Sequence, residues 1–405
     1  MTEQVVIIGA GQGGLQVAAS LRQDGFTGRV TLIGDEPGLP YQRPPLSKAY
    51  MKDGDASRLA LRPETFFDDN SVDYRPDTRA DSIDREAGVV RLQDGTALPF
   101  DHLVLATGAR NVVPPLPGLD LPGVHSLRGL EDAARLRAAM QDARRAAVLG
   151  GGFIGLEFAA VARAAGVEVT VIEAADRLMA RAVTPPISAR FRDFHAALGT
   201  DLRLDTLGQG VAGTTRAEGV VLAGGEVVPA DLVLLAAGVR PNVELAEAAG
   251  LAVANGIVTD GDLRTADPRI FAIGDCASFP LAGVPVRLES VQAATDHARH
   301  VARAIIGADQ PPYAALPWFW SDQGPLKLQI AGLATGWDAV ETLTDDSGAV
   351  DTALAFRDDR LIAVETVNQA GRHMAARKLL AGAPVMRGAL EALGWDLRAA
   401  LSAQG

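Results

Sequence analysis

Twice along the chain a run of branched apolar residues stops at a glycine cluster and continues as an alanine-rich stretch. The first is VVIIGAGQGGLQVAASL, near the start, and the second is AAVLGGGFIGLEFAAVARAA, from residue 146. Each reads as strand, tight turn, helix. An unbroken apolar strand is what a parallel sheet covered on both faces requires. Gly9, Gly11 and Gly14 fit the GxGxxG spacing, and Gly150, Gly152 and Gly155 repeat it. The first glycine of such a turn permits the tight bend. The second removes a side chain where a pyrophosphate approaches the backbone, and the third lets helix and strand pack closely. The phosphates then lie at the positive end of the helix dipole. A carboxylate follows each second strand, Asp35 and Glu36 after RVTLIG and Glu173 at the end of VTVIE, where it can accept ribose hydroxyls. A carboxylate at residue 173 repels a 2′-phosphate and favours NADH over NADPH, although Arg177 and Arg181 lie in the loop beyond it. Two dinucleotide sites in one chain imply two different dinucleotides, a tightly held flavin and an exchanging nicotinamide, with hydride passing between their rings.

Composition narrows the partners. The net charge of −12 argues against a nucleic-acid binder, which needs a basic face. Hydrophobic residues make up 48% and charged residues 22%, an ordinary globular balance. There is one cysteine, Cys276, so no intrachain disulfide or CxxC redox pair can form. No metal site is expected. No apolar run reaches the ~18 residues a membrane span needs. The start, MTEQVVIIGAG, shows no basic leader, so the cytoplasm is the expected location.

The rest of the chain extends the pattern. HLVLATGAR and DLVLLAAGVRPN are similar buried strands ending in small-residue turns, RIFAIGDCA is a further buried strand, and ESVQAATDHARHVARAII is a helix. After Pro317 the texture changes. LKLQIAGLA, DAVETL and TALAFRDDRLIAVETV read as antiparallel strands, the last a hairpin turning at Arg357–Asp358–Asp359–Arg360, and two helical stretches close the chain. The fold class is therefore α/β, with two Rossmann-like dinucleotide-binding domains followed by a smaller α+β domain from about residue 316. That last domain opens with PWFWSDQG, which puts Trp318 and Trp320 two residues apart, ahead of Ser321, Asp322 and Gln323.

Several stretches together carry a resemblance: LPYQRPPLSKAY, LVLATGAR, LRGLEDAARLR, GGGFIGLEFAA, AAGVRPN, FAIGDCA, ESVQAATDHAR and PWFWSDQ. With them the chain resembles the FAD-dependent, NADH-using ferredoxin reductases, the group of putidaredoxin reductase and the reductases of bacterial ring-hydroxylating dioxygenases. The resemblance implies an FAD domain split between residues 1–110 and 240–315, an NAD domain at 111–239, and a C-terminal domain at 316–405 covering the flavin. It places Gly13 and Asp35 at the adenosine part of FAD, Ala80 at adenine, and Asp275 at ribitol or phosphate oxygens. Val291 would offer its backbone to the pyrimidine edge, and Arg43, Thr107 and Arg128 would also meet the cofactor. Gly238 joins Gly150, Gly152, Gly155 and Glu173 as a cofactor position. Lys48 would lie by the isoalloxazine, paired with Glu157. Trp320 would be the ring near the flavin, with Ser321, Asp322 and Gln323 at its edge or structuring the turn and Trp318 in packing. Electrons would leave one at a time to a [2Fe-2S] ferredoxin, which would serve a cytochrome P450 or a ring-hydroxylating oxygenase.

Competing readings weaken on particular residues. A pyridine-nucleotide disulfide reductase, NADH oxidase or peroxidase needs a cysteine beside the flavin, whereas Cys276 follows Asp275. An NADH-responsive interaction role, as in apoptosis-inducing factor, remains the alternative. Ferredoxins are generally acidic, as is this chain, so docking needs a local basic patch. Arg58, Arg62, Arg287 and Lys327 are the candidates. A monomer is expected.

Overall fold

The structure, a computed structural model, describes residues 3–404. The described residues gather into two compact units, one within Met1–Gln42, Ser57–Arg110 and Val239–Ala315, the other within Arg43–Ala56, Asn111–Gly238 and Leu316–Gly405.

The first unit is built on a five-stranded sheet in the spatial order Ile270–Ala272, His102–Leu105, Gln4–Ile8, Arg29–Ile33, Val72–Arg75. Every pairing is parallel. Val5 and Ile7 point to one face and Val6 and Ile8 to the other, and none of the four is more than 6% exposed, so both faces must be covered. Helices Gln12–Gln23 and Val291–Ile305 cover one face, through Leu15, Val17, Ala18 and Leu21 and through Ala298, Val301 and Ala302. The small sheet Ala80–Asp84, Val89–Leu92 and Ala97–Pro99 packs Ile83, Val90, Leu92 and Leu98 on the other. The central strand Gln4–Ile8 has its neighbours on opposite sides connected in opposite directions along the sheet. That arrangement leaves a crevice at its carboxyl end, where Gly9–Gly14 turns into the helix.

The second unit repeats this plan. Strands Asp201–Arg203, Glu168–Ile172, Arg145–Leu149, Leu232–Leu235 and Val124–Ser126 form a parallel sheet, again with the glycine-turn strand in the middle. The same unit contains an antiparallel five-stranded sheet in the order Trp318–Gln323, Leu326–Gly332, Arg360–Val367, Val350–Arg357, Ala339–Thr344. Its hairpin turns where the sequence places it. Asp358 and Asp359 both take positive φ (51° and 59°), the two-residue turn whose twist suits antiparallel strands. Three helices follow rather than two: Ala370–Ala381, Arg387–Ala392 and Leu397–Gln404. The apparent second stretch is broken at Gly394 and Trp395, both at positive φ, a conformation no helix propagates.

A buried acid ties the two sheets of this unit together. Helix Pro185–Ala197 starts after Thr184, and Thr184 does not cap it with its own hydroxyl. The Thr184 hydroxyl instead donates to Glu365 Oε2 at 2.6 Å, and its amide donates to both Glu365 oxygens at 2.9 and 3.0 Å. Glu365 is fully buried in strand Arg360–Val367. Burial pushes its carboxyl up to about 7, against the opposing pull of the Thr184 hydrogen bonds and the Arg177 charge. A carboxyl raised in the folded state keeps a proton that the unfolded chain has released. Its contribution to stability is therefore present below 4.5, its ordinary value, and is lost as pH rises to about 7. The buried histidines act in the opposite sense, with His297 lowered to about 3 and His373 to about 4 by desolvation, so the acid must be isolated by difference. Urea unfolding of Glu365→Gln beside the parent chain should show the variant gaining relative stability as pH rises from 4.5 to about 7. A difference that stays flat with pH would contradict this.

Candidate functional site

The two glycine turns divide their residues by what a side chain would meet. At Gly9, φ is +110° and an added Cβ would lie 2.1 Å from the Ala106 carbonyl oxygen; at Gly14 it would lie 1.9 Å from the Gly9 carbonyl oxygen. Gly150 (φ +117°) and Gly155 repeat this, at 2.3 Å from the Ala236 and Gly150 carbonyl oxygens respectively. These four are glycine because the protein leaves no room. At Gly11 and Gly152 nothing lies within 4 Å of the added atom. Both are the N-cap residues of their helices and offer no side-chain cap, so the first-turn amides need an outside acceptor. An open space in front of uncapped helix amides fits a dinucleotide pyrophosphate at each turn.

The first unit places other expected residues around its turn. An added Cβ at Gly13 would sit 3.1 Å from the Ile273 side chain and 3.5 Å from the Ala294 carbonyl, and Gln12 Nε2 donates to Thr295 Oγ1 at 3.3 Å. The Gly9–Gly14 turn, the turn carrying Asp275 and the start of helix Val291–Ile305 therefore meet at one end of the sheet. Asp275 lies in the short 3-10 turn Gly274–Cys276, whose first amide donates to His297 Nδ1 at 3.1 Å. Ser290 Oγ caps the Ala293 amide, and the Val291 amide, at the first helical position, has no place in the helix ladder. Thr107 Oγ1 donates to the Asn242 carbonyl at 2.7 Å, with Asn242 Nδ2 returning a bond to the Thr107 carbonyl at 2.8 Å. Asp35 is exposed beyond strand Arg29–Ile33, Glu36 accepts from the Tyr41 hydroxyl, and Ala80 opens the small sheet.

In the second unit Glu173 grips its own glycine loop. Its two oxygens accept from the Gly151 amide at 2.6 Å and the Ala175 amide at 2.8 Å. Arg177 is held by the Val183 and Ala180 carbonyls at 2.7 and 2.6 Å, which takes it away from a 2′-phosphate role, while Arg181 is exposed. Arg43 Nη1 donates to the Arg128 carbonyl at 2.9 Å, and the Gly238 carbonyl accepts from the Val112 amide at 2.9 Å.

Lys48 and Glu157 meet. Lys48 Nζ lies 2.9 Å from Glu157 Oε1, and the carboxylate, 5% exposed, also accepts from Ser47 Oγ at 2.5 Å and Ser321 Oγ at 2.6 Å. Strand alternation explains PWFWSDQ. Ser321 and Gln323 are fully buried and share a strand face, whereas Trp318 and Trp320 fall on the other and stay half-buried, ring centres 5.5 Å apart. Trp318 is also held by the Arg377 guanidinium, 4.4 Å from its ring centre. Ser47 and Ser321 were not readable as partners of Glu157, nor Gln323 as the partner of Ser321, because hydroxyls and amides carry no spacing signal.

Two further expectations resolve differently. Arg62 and Lys327 are exposed, Arg62 beside the Phe66 ring, and Arg58 is exposed too. Arg287 leaves the basic-patch set: its side chain is 10% exposed, paired with Glu289 at 2.6 Å and bonded to the Asp275 carbonyl. Cys276 is fully buried, its Sγ directed at the Ile273 and Leu105 carbonyls, and burial pushes the thiol up, so it is not a nucleophile. Among the described residues no helix is long and apolar enough to cross a membrane, and no group of three or more metal-binding side chains is present.

Residues 3–298 match the pyridine nucleotide-disulphide oxidoreductase family and residues 318–401 match the reductase C-terminal domain. Rhodocoxin reductase of Rhodococcus erythropolis is 49% identical over 381 residues, 93% of this chain and 89% of the relative. The ferredoxin reductase for the CYP199A2 system of Rhodopseudomonas palustris superposes with a TM-score of 0.95 at 47% identity, covering 98% of this chain and all of that one. The reductase in the covalent putidaredoxin reductase–putidaredoxin complex superposes at 0.94 with 36% identity, over 99% of each chain.

The open glycines separate binding from folding. Gly11→Ala and Gly152→Ala should each leave the melting of the cofactor-free protein within about 1 kcal/mol of the parent. Each should weaken its own dinucleotide about tenfold or more, the equivalent of one charge-assisted hydrogen bond. Isothermal titration with FAD for Gly11→Ala and with NADH for Gly152→Ala tests this.

Proposed function

Because this chain belongs to the pyridine nucleotide-disulphide oxidoreductase family and carries a reductase C-terminal domain, we infer that it is an NADH-dependent ferredoxin reductase. It passes electrons through FAD to a [2Fe-2S] ferredoxin, which in turn serves a cytochrome P450 or a ring-hydroxylating oxygenase. The observation that carries this reading is the state of the lone cysteine. The chain has the two-dinucleotide layout of a disulphide reductase without a thiol to receive the electrons, since Cys276 is buried and held against carbonyls. Electrons must then leave for an external acceptor. A purely NADH-responsive signalling role is the second reading, and it has no observation of its own in its favour.

Residues are assigned to the cofactors as follows. Gly9, Gly11 and Gly14 take the FAD pyrophosphate, Gly13, Asp35 and Ala80 the adenosine, and Arg43, Thr107, Arg128, Asp275 and Val291 the remainder, with Lys48 and Trp320 beside the isoalloxazine. Gly150, Gly152, Gly155, Glu173 and Gly238 take NADH. The domains follow: FAD at 1–110 and 240–315, NAD at 111–239, and the flavin-covering domain at 316–405. Bound FAD supplies the conversion from a two-electron donor to a one-electron acceptor. The protein's part is electrostatic and positional. Lys48 holds a positive charge, and Glu157 fixes its direction at 2.9 Å. The dipole at the start of helix Val291–Ile305 favours negative charge at the Val291 amide. Glu173, already braced by two amides, presents its remaining lone pairs to a ribose diol and repels a 2′-phosphate. The protein acts as a monomer in the cytoplasm.

An anaerobic titration tests the reading directly. The ~450 nm flavin band should bleach with about one NADH per flavin and far less readily with NADPH. A flavin that NADH does not bleach would remove the second glycine turn as a nicotinamide site and favour the signalling reading. With an acidic ferredoxin as acceptor, Arg62→Glu should flatten the salt dependence of reduction. An unchanged dependence would take Arg62 out of the docking surface.

A further inference from the structure

Glu157 lies at the end of a buried chain of polar groups that extends well beyond Lys48. Ser321 Oγ is 2.6 Å from Glu157 Oε1, Gln323 Nε2 is 3.3 Å from Ser321 Oγ, and Gln323 Oε1 is 2.9 Å from His195 Nε2. Ser321, Gln323 and His195 are all fully buried. They come from strand Trp318–Gln323 and helix Pro185–Ala197, while Glu157 comes from helix Phe153–Ala164.

The chemistry of the groups sets the direction of each proton. A carboxylate only accepts, so the Ser321 hydroxyl donates to Glu157 and has only lone pairs left for Gln323. Gln323 must therefore turn its amino group to Ser321. The same amino group reaches Met179 Sδ at 3.6 Å, a weak acceptor and never a donor, which agrees with this orientation. The Gln323 oxygen is then left for His195, which must donate from Nε2. His195 Nδ1 has no partner, as the bare nitrogen of that tautomer would have. Burial lowers the imidazole below its usual range, consistent with a neutral ring carrying one proton. Every hydrogen bond in the chain points at Glu157.

The geometry points to a positioning relay in which His195, Gln323 and Ser321 hold the Glu157 carboxylate at the angle from which it orients Lys48. The relay rests on the reading of Lys48 and Glu157 given above. Oε2 is already taken by Ser47, while Oε1 is shared by Lys48 and Ser321. Without Ser321 the carboxylate can rotate toward Lys48 and carry the ammonium with it. None of the three relay residues touches substrate or cofactor in this scheme; they act through Glu157.

Two measurements on the FAD-loaded protein test it. The first is anaerobic stopped-flow bleaching of the flavin by NADH, which separates the limiting rate from the NADH dissociation constant. Ser321→Ala should lower the limiting rate about tenfold and Gln323→Met about threefold, with the dissociation constant within about twofold. Ser321→Thr, which keeps the hydroxyl, should return the rate to within about twofold of the parent. The second is the 15N spectrum of His195, which does not depend on turnover and should report a neutral ring protonated at Nε2. Glu157→Gln separates the two layers of the argument. If Glu157→Gln is slow while Ser321→Ala and Gln323→Met run at the parent rate, the relay is wrong and the Lys48–Glu157 reading stands. If Glu157→Gln itself runs at the parent rate, that reading falls and takes the relay with it. If a serine or glutamine variant does not fold, the spectrum decides: a ring protonated at Nδ1, or doubly protonated, overturns the relay, and the Nε2 form supports it.

Discussion

A carboxylate withdrawn from water must be surrounded by donors, and removing its partners one at a time is costly. Glu157 meets that demand with side chains far apart in sequence, Ser47 and Lys48 on one side and Ser321 on the other. Much of the second unit is arranged accordingly. The short segment Arg43–Ala56 groups with the second parallel sheet rather than with the residues that flank it in sequence. The first strand of the antiparallel sheet presents Ser321 and Gln323 inward, which leaves Trp318 and Trp320 on its other face. One buried charge thus selects which loop, which helix and which strand face belong together.

The glycine turns show a different constraint, steric rather than electrostatic, and the protein uses it twice. In both parallel sheets the first and last glycines of the motif are required by carbonyl oxygens about 2 Å from where a Cβ would stand, and the middle glycine is required by nothing in the protein. A glycine with empty space around it, standing in front of uncapped helix amides, leaves room for a ligand's phosphate. That contrast, and not the motif string alone, distinguishes a working dinucleotide turn from a merely tight one.

The legible part of this molecule was the part with a period or a steric signature. Continuous apolar runs announced the parallel strands, Asp358–Asp359 announced the hairpin, and the glycine spacing announced both turns. What stayed hidden depended on pairing across long sequence separations. Glu365 looks like a solvent-facing residue of an alternating strand until Thr184, 181 residues away, is brought against it. Arg287 looks like a surface cation until Glu289 and the Asp275 carbonyl engage it. Gly394 and Trp395 break a helix through backbone angles that tryptophan gives no reason to expect. Lys48 and Glu157 lie between these cases, since each residue is unremarkable alone and only the resemblance suggested that they meet.

The Thr184–Glu365 contact bears on how such a protein can be recombined. The antiparallel sheet supplies the acceptor for the amide of Thr184, the residue from which a helix beside the second parallel sheet starts. The C-terminal segment is therefore not an interchangeable cap. A chimera that joined this body to a foreign terminal domain lacking an acid at residue 365 would leave the Thr184 amide and hydroxyl buried without acceptors. The reverse graft would bury an acid with no donors. Positions 184 and 365 have to be inherited as a pair, and a lineage that exchanged terminal domains to reach new acceptors would carry that pairing as the scar of each successful exchange.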